Sequence, residues 1–350
     1  MKQVVEIGGR PVGPGHPVLV VAEATINHNG DLDLARRMVA SAARAGADAV
    51  KFQAYHSEEF LASRDLTYTY VSQGREVTES QFDMFKRCEL GRREFEALRD
   101  ECRRHGVLFL CTATDMDAAR MLVEIGAPAI KVGSDDLVHH PMLRELAATR
   151  LPLILSTGMA DLAEVRRTIG VVREAGCDEV VVLHCTSMYP TPEERANVRR
   201  VETLRREIDC PAGFSDHTFG ISAAAGAVAL GACLVERHFT LDRNLPGPDH
   251  PFSADPATLE ALVQAVRAME RNLGSPSVEP TPEEMEMRAI ARRSVVARGA
   301  VAAGTILTRS HVAYKRPGTG VFPMDEHLLL GRRVRRDLRE GDVIALGDVE

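Results

Sequence analysis

The sequence predicts a (β/α)8 TIM barrel followed by a small, mostly β domain, and three observations carry that reading. Short apolar runs of strand length recur eight times between about residues 18 and 238, most of them separated by amphipathic helical stretches. Each run ends in or near polar residues, as strands do when their C-terminal ends carry chemistry. After about Asn272 the texture changes: SPSVEPTPEE has three prolines and no apolar periodicity, and short β-like runs follow it. The expected division is a barrel over 1–272, a linker over 273–290 and a second domain over 291–350. A doubly wound open sheet is the alternative, because strand order is not written in the pattern.

Taken in order, VVEIGG reads as a strand, part of a hairpin closing one end of the fold. VLVVAEA is a buried strand ending at Glu23, and Asp31 caps the helix LDLARRMVASAARAGA, which stops at Gly46. DAVKFQAY, GVLFLCT, APAIKVGS, LPLILST, EVVVLHC, CPAGFSD and ACLVERH supply the remaining strands. The insertion from His56 to about Leu90 is too polar for core and reads as a lid. SVVARGAV, TILTRSHVAY and DVIALGDV are the β-like runs of the second domain.

The chain has 350 residues, 45% hydrophobic and 27% charged, with a net charge of -7, so a general affinity for nucleic acid or anionic membrane is not expected. Any anionic ligand must be held by a local cluster of cations and amides. The seven cysteines show no CxxC spacing, which excludes a zinc ribbon or disulfide framework and leaves buried thiols. No apolar window approaches the length of a membrane span, and a cytoplasmic location is expected.

The stretch 213–249 places His217 and His238 at the ends of two strands joined by the small-residue segment ISAAAGAVALG. Parallel neighbours lie about 5 Å apart, so two imidazoles can reach one divalent metal. The other strand ends present Glu23, Lys51 with Gln53, Thr112, Lys131 with Ser134, Ser156 with Thr157, and Ser187 with Tyr189. Ser215, Asp216, Glu236 and Arg237 flank the histidines, and Asp249 follows in a turn. Lys51 and Lys131 interrupt otherwise buried strands, where an unpaired ammonium is very unfavourable. With several hydroxyls nearby they suit a small multiply charged anion, phosphate plus carboxylate. His28 and His184 read instead as structural, His105 as a helix-end residue, and the pair His139–His140 as weak evidence for metal.

The motifs VVAEATINHNGD, AGADAVKFQAY, KVGSDD, LPLILSTGM, LHCTSMYPTP, GFSDHT and LVERHFTLDRNLPGPDH, in this order, resemble the sialic acid synthase family. KRPGTG extends the resemblance to that family's SAF, or antifreeze-like, domain. The resemblance implies condensation of phosphoenolpyruvate with an N-acylated aminosugar aldehyde, N-acetylmannosamine or a relative. It implies a divalent metal, manganese foremost with magnesium or cobalt as substitutes, on His217 and His238. It assigns phosphoenolpyruvate to Lys51, Thr112, Lys131, Ser134, Ser156 and Ser215, and the acceptor to Glu23, Gln53, Tyr189 and Asp249. A homodimer is implied, in which the SAF domain caps the partner's site and supplies Arg316.

Three departures bear on sugar specificity. Ser187 stands where several relatives have Asn, Ser134-Asp135-Asp136 where many have SGE or SGD, and no aromatic precedes Ser294. Within the family the alternative acceptor is a 2,4-diacetamido-6-deoxy hexose leading to legionaminic or pseudaminic acid. A 3-deoxy-octulosonic acid synthase and a non-catalytic carbohydrate-binding protein are the more distant readings.

Overall fold

In the computed structural model, which describes residues 1–350, the chain divides into two compact units, Met1–Gly274 and Ser275–Glu350. The first begins with hairpin β1 (Val5–Ile7) and β2 (Arg10–Val12). Eight parallel strands then close into a barrel: β3 (Leu19–Thr25), β4 (Ala49–Ala54), β7 (Leu108–Ala113), β8 (Ile130–Val132), β9 (Leu153–Ser156), β10 (Val180–Cys185), β11 (Ala212–Asp216) and β12 (Leu234–His238). The order follows the chain, and β12 returns to pair with β3, His238 opposite Glu23. The open-sheet alternative is thereby excluded.

Helices cover the strands where the apolar periodicity places them. Asp31 caps α1 (Leu32–Arg44), its carboxylate accepting from Asp33 and Leu34 amides, and Gly46 follows at φ +87°, the left-handed region that ends a helix. The insertion holds α2 (Ser57–Phe60), a hairpin of β5 (Thr67–Ser72) with β6 (Arg75–Ser80), and α3 (Gln81–Cys88). The rest of the coat is α4 (Arg92–Arg104), α5 (Met116–Glu124), α6 (His140–Ala148), α7 (Leu162–Glu174), α8 (Arg199–Glu207), α9 (Ser222–Ala229) and α10 (Pro256–Leu273).

Side chains alternate along each strand, and the two faces do different work. Outward residues such as Val50, Phe52, Phe109, Ile130 and Val182 pack with the helices in the main core. Inward residues near the strand starts, among them Leu19, Val21, Ala49, Leu110, Ala129, Ile154 and Leu234, pack with Val5, Ile7 and Val12 of the β1–β2 hairpin. The hairpin therefore stoppers the N-terminal mouth and leaves the opposite mouth for chemistry.

The insertion departs from the expectation that it is too polar for core. Phe82, Met84 and Cys88 of α3 are buried, and Phe60, Phe85 and Tyr55 form an aromatic cluster with edge contacts at 5.1 and 5.4 Å to Phe85. Gln73 Nε2 donates to the Asn244 carbonyl at 3.0 Å and the Gly247 amide donates to Ser72 Oγ at 3.1 Å, so the hairpin is tied to the loop after β12.

The second unit contains α11 (Pro282–Ala291) and an antiparallel pair, β13 (Ser294–Ala297) with β14 (Val312–Lys315), over its own core of Val295, Val301, Leu307, Val312, Leu338 and Ile344. Helix α11 occupies much of the stretch read as a linker over 273–290. Thr281 and Glu284 form a reciprocal capping box and Pro282 sits at the first helical position, where its missing N–H costs nothing. No helix of the chain is long and apolar enough to cross a membrane.

Candidate active site

At the C-terminal mouth of the barrel the inward alternation continues with polar residues, and they enclose a cavity of about 390 Å3. The two buried lysines behave differently. Lys51 Nζ is ion-paired with Glu23, donates to Thr112 Oγ1 at 2.8 Å and lies 3.8 Å from Glu236. Burial opposes its charge, but the two carboxylates outweigh that and carry its pKa above the ordinary value. Lys131 Nζ donates to its neighbour's carbonyl, Val132 O, at 2.8 Å and has no carboxylate in ion-pair reach; burial lowers its pKa.

The carboxylates split in the same way. Burial pushes Glu23 up to about 7 against the pull of Lys51, and the neighbouring Glu236 adds to the rise. Glu236 is held below its ordinary value, because Lys51, Lys131 and His217 together overcome its burial. For one ion pair, Lys51 and Glu23 look inconsistent, both shifting upward. Glu236 resolves this, since it shares the Lys51 ammonium and leaves Glu23 with only part of a counter-ion.

Facing these charges are hydroxyls with spare capacity. Ser156 Oγ and Ser187 Oγ are buried without hydrogen-bond partners, and Ser215 Oγ donates to Glu236 at 3.2 Å. The Gly158 amide donates to Ser134 Oγ at 2.9 Å, and a Cβ at Gly158 would lie 2.2 Å from Ser187 Oγ and 2.7 Å from Ser134 Oγ. Only glycine allows those two hydroxyls to converge there.

His217 and His238 stand with ring centroids 5.2 Å apart, and Tyr189 packs on both at 4.2 and 5.7 Å. His217 Nδ1 lies 2.9 Å from the Thr186 carbonyl, which fixes it as the donor and leaves Nε2 as the nitrogen that can ligate once deprotonated. His238 Nδ1 is buried with no hydrogen-bond partner, and burial beside His217 and three cations keeps the ring neutral. No third histidine, cysteine or carboxylate joins them in ligating geometry. Burial opposes a charge on His217, but Cys185, the Thr186 carbonyl and Glu236 outweigh it and carry its pKa above the ordinary value, so a divalent ion would have to displace its proton. With that proton gone, two rings, one oriented by a carbonyl and one without a partner, fit an ion that keeps positions open for oxygen ligands.

Of the residues singled out in the sequence, Glu23, Lys51, Gln53, Thr112, Lys131, Ser134, Ser156, Ser187, Tyr189, Ser215, His217 and His238 line this cavity. Asp249 lines an adjoining one, with its Oδ2 3.8 Å from His238 Nδ1. Arg316 lies exposed in the second unit, in the segment after β14. Asp216 and Arg237 turn away from the mouth and form a buried ion pair at 2.8 Å. Of the acids after Ser134, Asp135 rather than Asp136 reaches the cavity. His184 bonds the Ala196 carbonyl at 2.8 Å, His139 caps α6 and His105 pairs with Glu101 at 3.1 Å. Glu236 and Cys185 are among the lining residues that strand-end position alone left without a role. The alternation Leu234, Glu236, His238 on one face of β12 was the available signal for Glu236.

A barrel with a buried four-charge cluster, unpartnered hydroxyls and paired imidazoles at its open mouth has the make-up of an enzyme acting on a small polyanion. The chain belongs to the NeuB family, whose profile matches residues 38–277, and it carries a SAF domain over 292–350. It is 36% identical over 347 residues to an N,N'-diacetyllegionaminic acid synthase of Legionella pneumophila, covering 98% of each chain. It is 35% identical over 341 residues to the N-acetylneuraminate-9-phosphate synthase of Homo sapiens, covering 96% of this chain and 94% of that one. An N-acetylneuraminic acid synthetase structure from Leptospira borgpetersenii, in complex with citrate, superposes with a TM-score of 0.74 at 35% identity, over 82% of this chain and 95% of that one.

Proposed function

We propose that this enzyme condenses phosphoenolpyruvate with N-acetylmannosamine or a related N-acylated aminosugar aldehyde and water, giving a nonulosonic acid and phosphate. The observation that carries the reading is Lys131: a buried ammonium with no carboxylate partner beside the unpartnered hydroxyls of Ser156 and Ser187. An isolated buried cation is costly, and a bound anion removes that cost. Both lysines, with Thr112, Ser134 and Ser215, offset the charge of the phosphate and carboxylate and hold the alkene toward the two histidines.

In the reaction, C3 of phosphoenolpyruvate forms a bond to the aldehyde carbon, whose oxygen becomes a hydroxyl. Water adds at C2, the C2–O bond to phosphate breaks, and the phosphate leaves with its bridging oxygen. Glu23, raised toward neutrality by burial, takes and returns the proton that this sequence moves. His217 and His238 would hold a divalent metal, manganese in the first instance, which would supply Lewis-acid polarisation of a carbonyl oxygen. Gln53, Tyr189 and Asp249 orient the acceptor. The proposed assembly is a cytoplasmic homodimer whose SAF domain brings Arg316 to the acceptor in the partner, as the family resemblance implies.

Release of inorganic phosphate from phosphoenolpyruvate plus N-acetylmannosamine, with manganese and with EDTA, tests the reading. Release that requires both acceptor and metal supports it, with a 2,4-diacetamido-6-deoxy hexose as the second acceptor. Release without any acceptor, or none with every acceptor, contradicts it.

A further inference from the structure

A cavity of about 570 Å3 lies at the end of the barrel wall opposite the chemistry, and it shares no residue with the reaction chamber. Val18, just before β3, and Ala232 and Cys233, just before β12, border it. The last turns of α8 and α10, the end of α9 and the loop 13–17 enclose it, all within the first compact unit. Its size falls within the roughly 300–1,000 Å3 of small-molecule sites.

The cations of this cavity are unequally employed. Arg267 Nη2 pairs with Asp48 at 2.5 Å, while its Nη1 reaches the Val18 carbonyl at 2.7 Å and Glu270 at 3.2 Å. Glu270, the one carboxylate in the lining, also accepts from the Val18 amide at 2.5 Å. Arg10 pairs with Asp48 at 2.7 Å, so Arg10 and Arg267 balance Asp48 and Glu270. Arg205 and Arg271 have no carboxylate partner. Arg205 Nη1 donates to the Leu230 carbonyl at 2.9 Å, and its other N–H groups are unused. Its guanidinium lies against Gly231, where φ is +92° and a Cβ would stand 2.1 Å from Nη1. Only glycine leaves room for it there.

Arg205 and Arg271 both stand in the last turn of a helix, where the dipole favours a cation. That accounts for their position, yet it employs one N–H of Arg205 and no donor of Arg271. Two uncompensated guanidinium groups therefore face one cavity, in a chain whose net charge is -7. Such groups suit a phosphate dianion, whose oxygens accept paired N–H donors. His16 adds a ring N–H, and Pro14, Pro17, Val228 and Leu273 supply an apolar wall. A bare phosphate would leave that wall in water; an apolar body attached to the phosphate would cover it.

We propose that this cavity is a second anion site, separate from the substrates, which binds an organic phosphate monoester. The phosphate meets Arg205 and Arg271, and an apolar or flat body lies against the prolines and Leu273. The inference is independent of the reaction proposed above.

Calorimetric titration of the full-length protein with phenyl phosphate, inorganic phosphate and phenol tests it. At this site phenyl phosphate should bind about tenfold more tightly than inorganic phosphate, and phenol should give no measurable heat. Arg271→Glu should weaken phenyl phosphate at least tenfold, and adding Arg205→Gln should abolish the event. Both side chains are exposed, so the thermal midpoint should hardly move. Lys131→Met, which alters the reaction chamber alone, should leave the event intact. Binding that survives the two arginine changes, or that vanishes in Lys131→Met, assigns the phosphate to the reaction chamber and overturns the inference. Equal affinity for phenyl and inorganic phosphate, or no binding of either, overturns it as well.

Discussion

Lys51 and Lys131 are buried alike, and company alone separates them. Lys51 is neutralised by Glu23 and Glu236, whereas Lys131 has a carbonyl only. Lys131→Met should therefore raise the KM for phosphoenolpyruvate about 10- to 100-fold, the worth of a hydrogen bond to a charged group, and change the acceptor KM little. Equal effects on both substrates in steady-state kinetics would remove Lys131 from the phosphate site. Two other buried residues set a pH limit on the fold. His28 and His250 are each lowered to about 4, burial being the main cause for both. Their folded pKa values lie below the unfolded value near 6.5, so between those limits the unfolded chain binds more protons. Stability is full above about pH 6.5 and falls on acidification toward pH 4, by on the order of 3 kcal/mol for each histidine. Thermal melts across that range check this, and His250→Gln should flatten the slope. The lysines were legible in the sequence because each breaks an apolar run. The partnering that makes one free and the other paired was not, since it depends on which strands are neighbours.

The segment β11–α9–β12 carries both histidines, and its rigidity has an identifiable source. Asp216 Oδ2 accepts from Arg237 at 2.8 Å while its Oδ1 accepts from the Thr218 amide and hydroxyl at 2.9 and 2.8 Å. This pair locks the strand ends from behind the cavity, at residues that are 0% and 1% exposed. Removing one partner strands a buried charge, so Asp216→Ala should cost about 3–5 kcal/mol in urea unfolding, and Asp216→Leu with Arg237→Met should recover much of it. An unchanged midpoint for Asp216→Ala would show the pair to be dispensable. Helix α11 shows how an element escapes a reading based on composition. The prolines of SPSVEPTPEE suggest a linker, yet Pro282 starts the helix and Thr281 with Glu284 caps it. In the insertion, the apolar positions Phe82, Met84 and Phe85 were present but spaced too briefly to outweigh the polar residues around them.

For the whole molecule, eight repeats and the rule that barrel chemistry sits at the strand C-terminal ends were enough to bring twelve of the residues singled out to one cavity. Asp249 falls next door because it sits on a loop, whose course strand periodicity does not constrain. Glu236 went unassigned because it lies one residue from Arg237, and only the inward or outward direction of each side chain tells them apart. The N-terminal hairpin plug and the polar upper layer belong together: closing one mouth with Val5, Ile7 and Val12 leaves the charged mouth as the only entrance to the barrel interior. That entrance is proposed to perform a condensation in which the C–O bond of phosphoenolpyruvate breaks. The most direct test is to run the reaction in 18O-labelled water and analyse both products by mass spectrometry. The label should appear in the C2 oxygen of the nonulosonic acid and be absent from the released phosphate. Label in the phosphate would mean cleavage at phosphorus, and the condensation drawn from this site would be wrong.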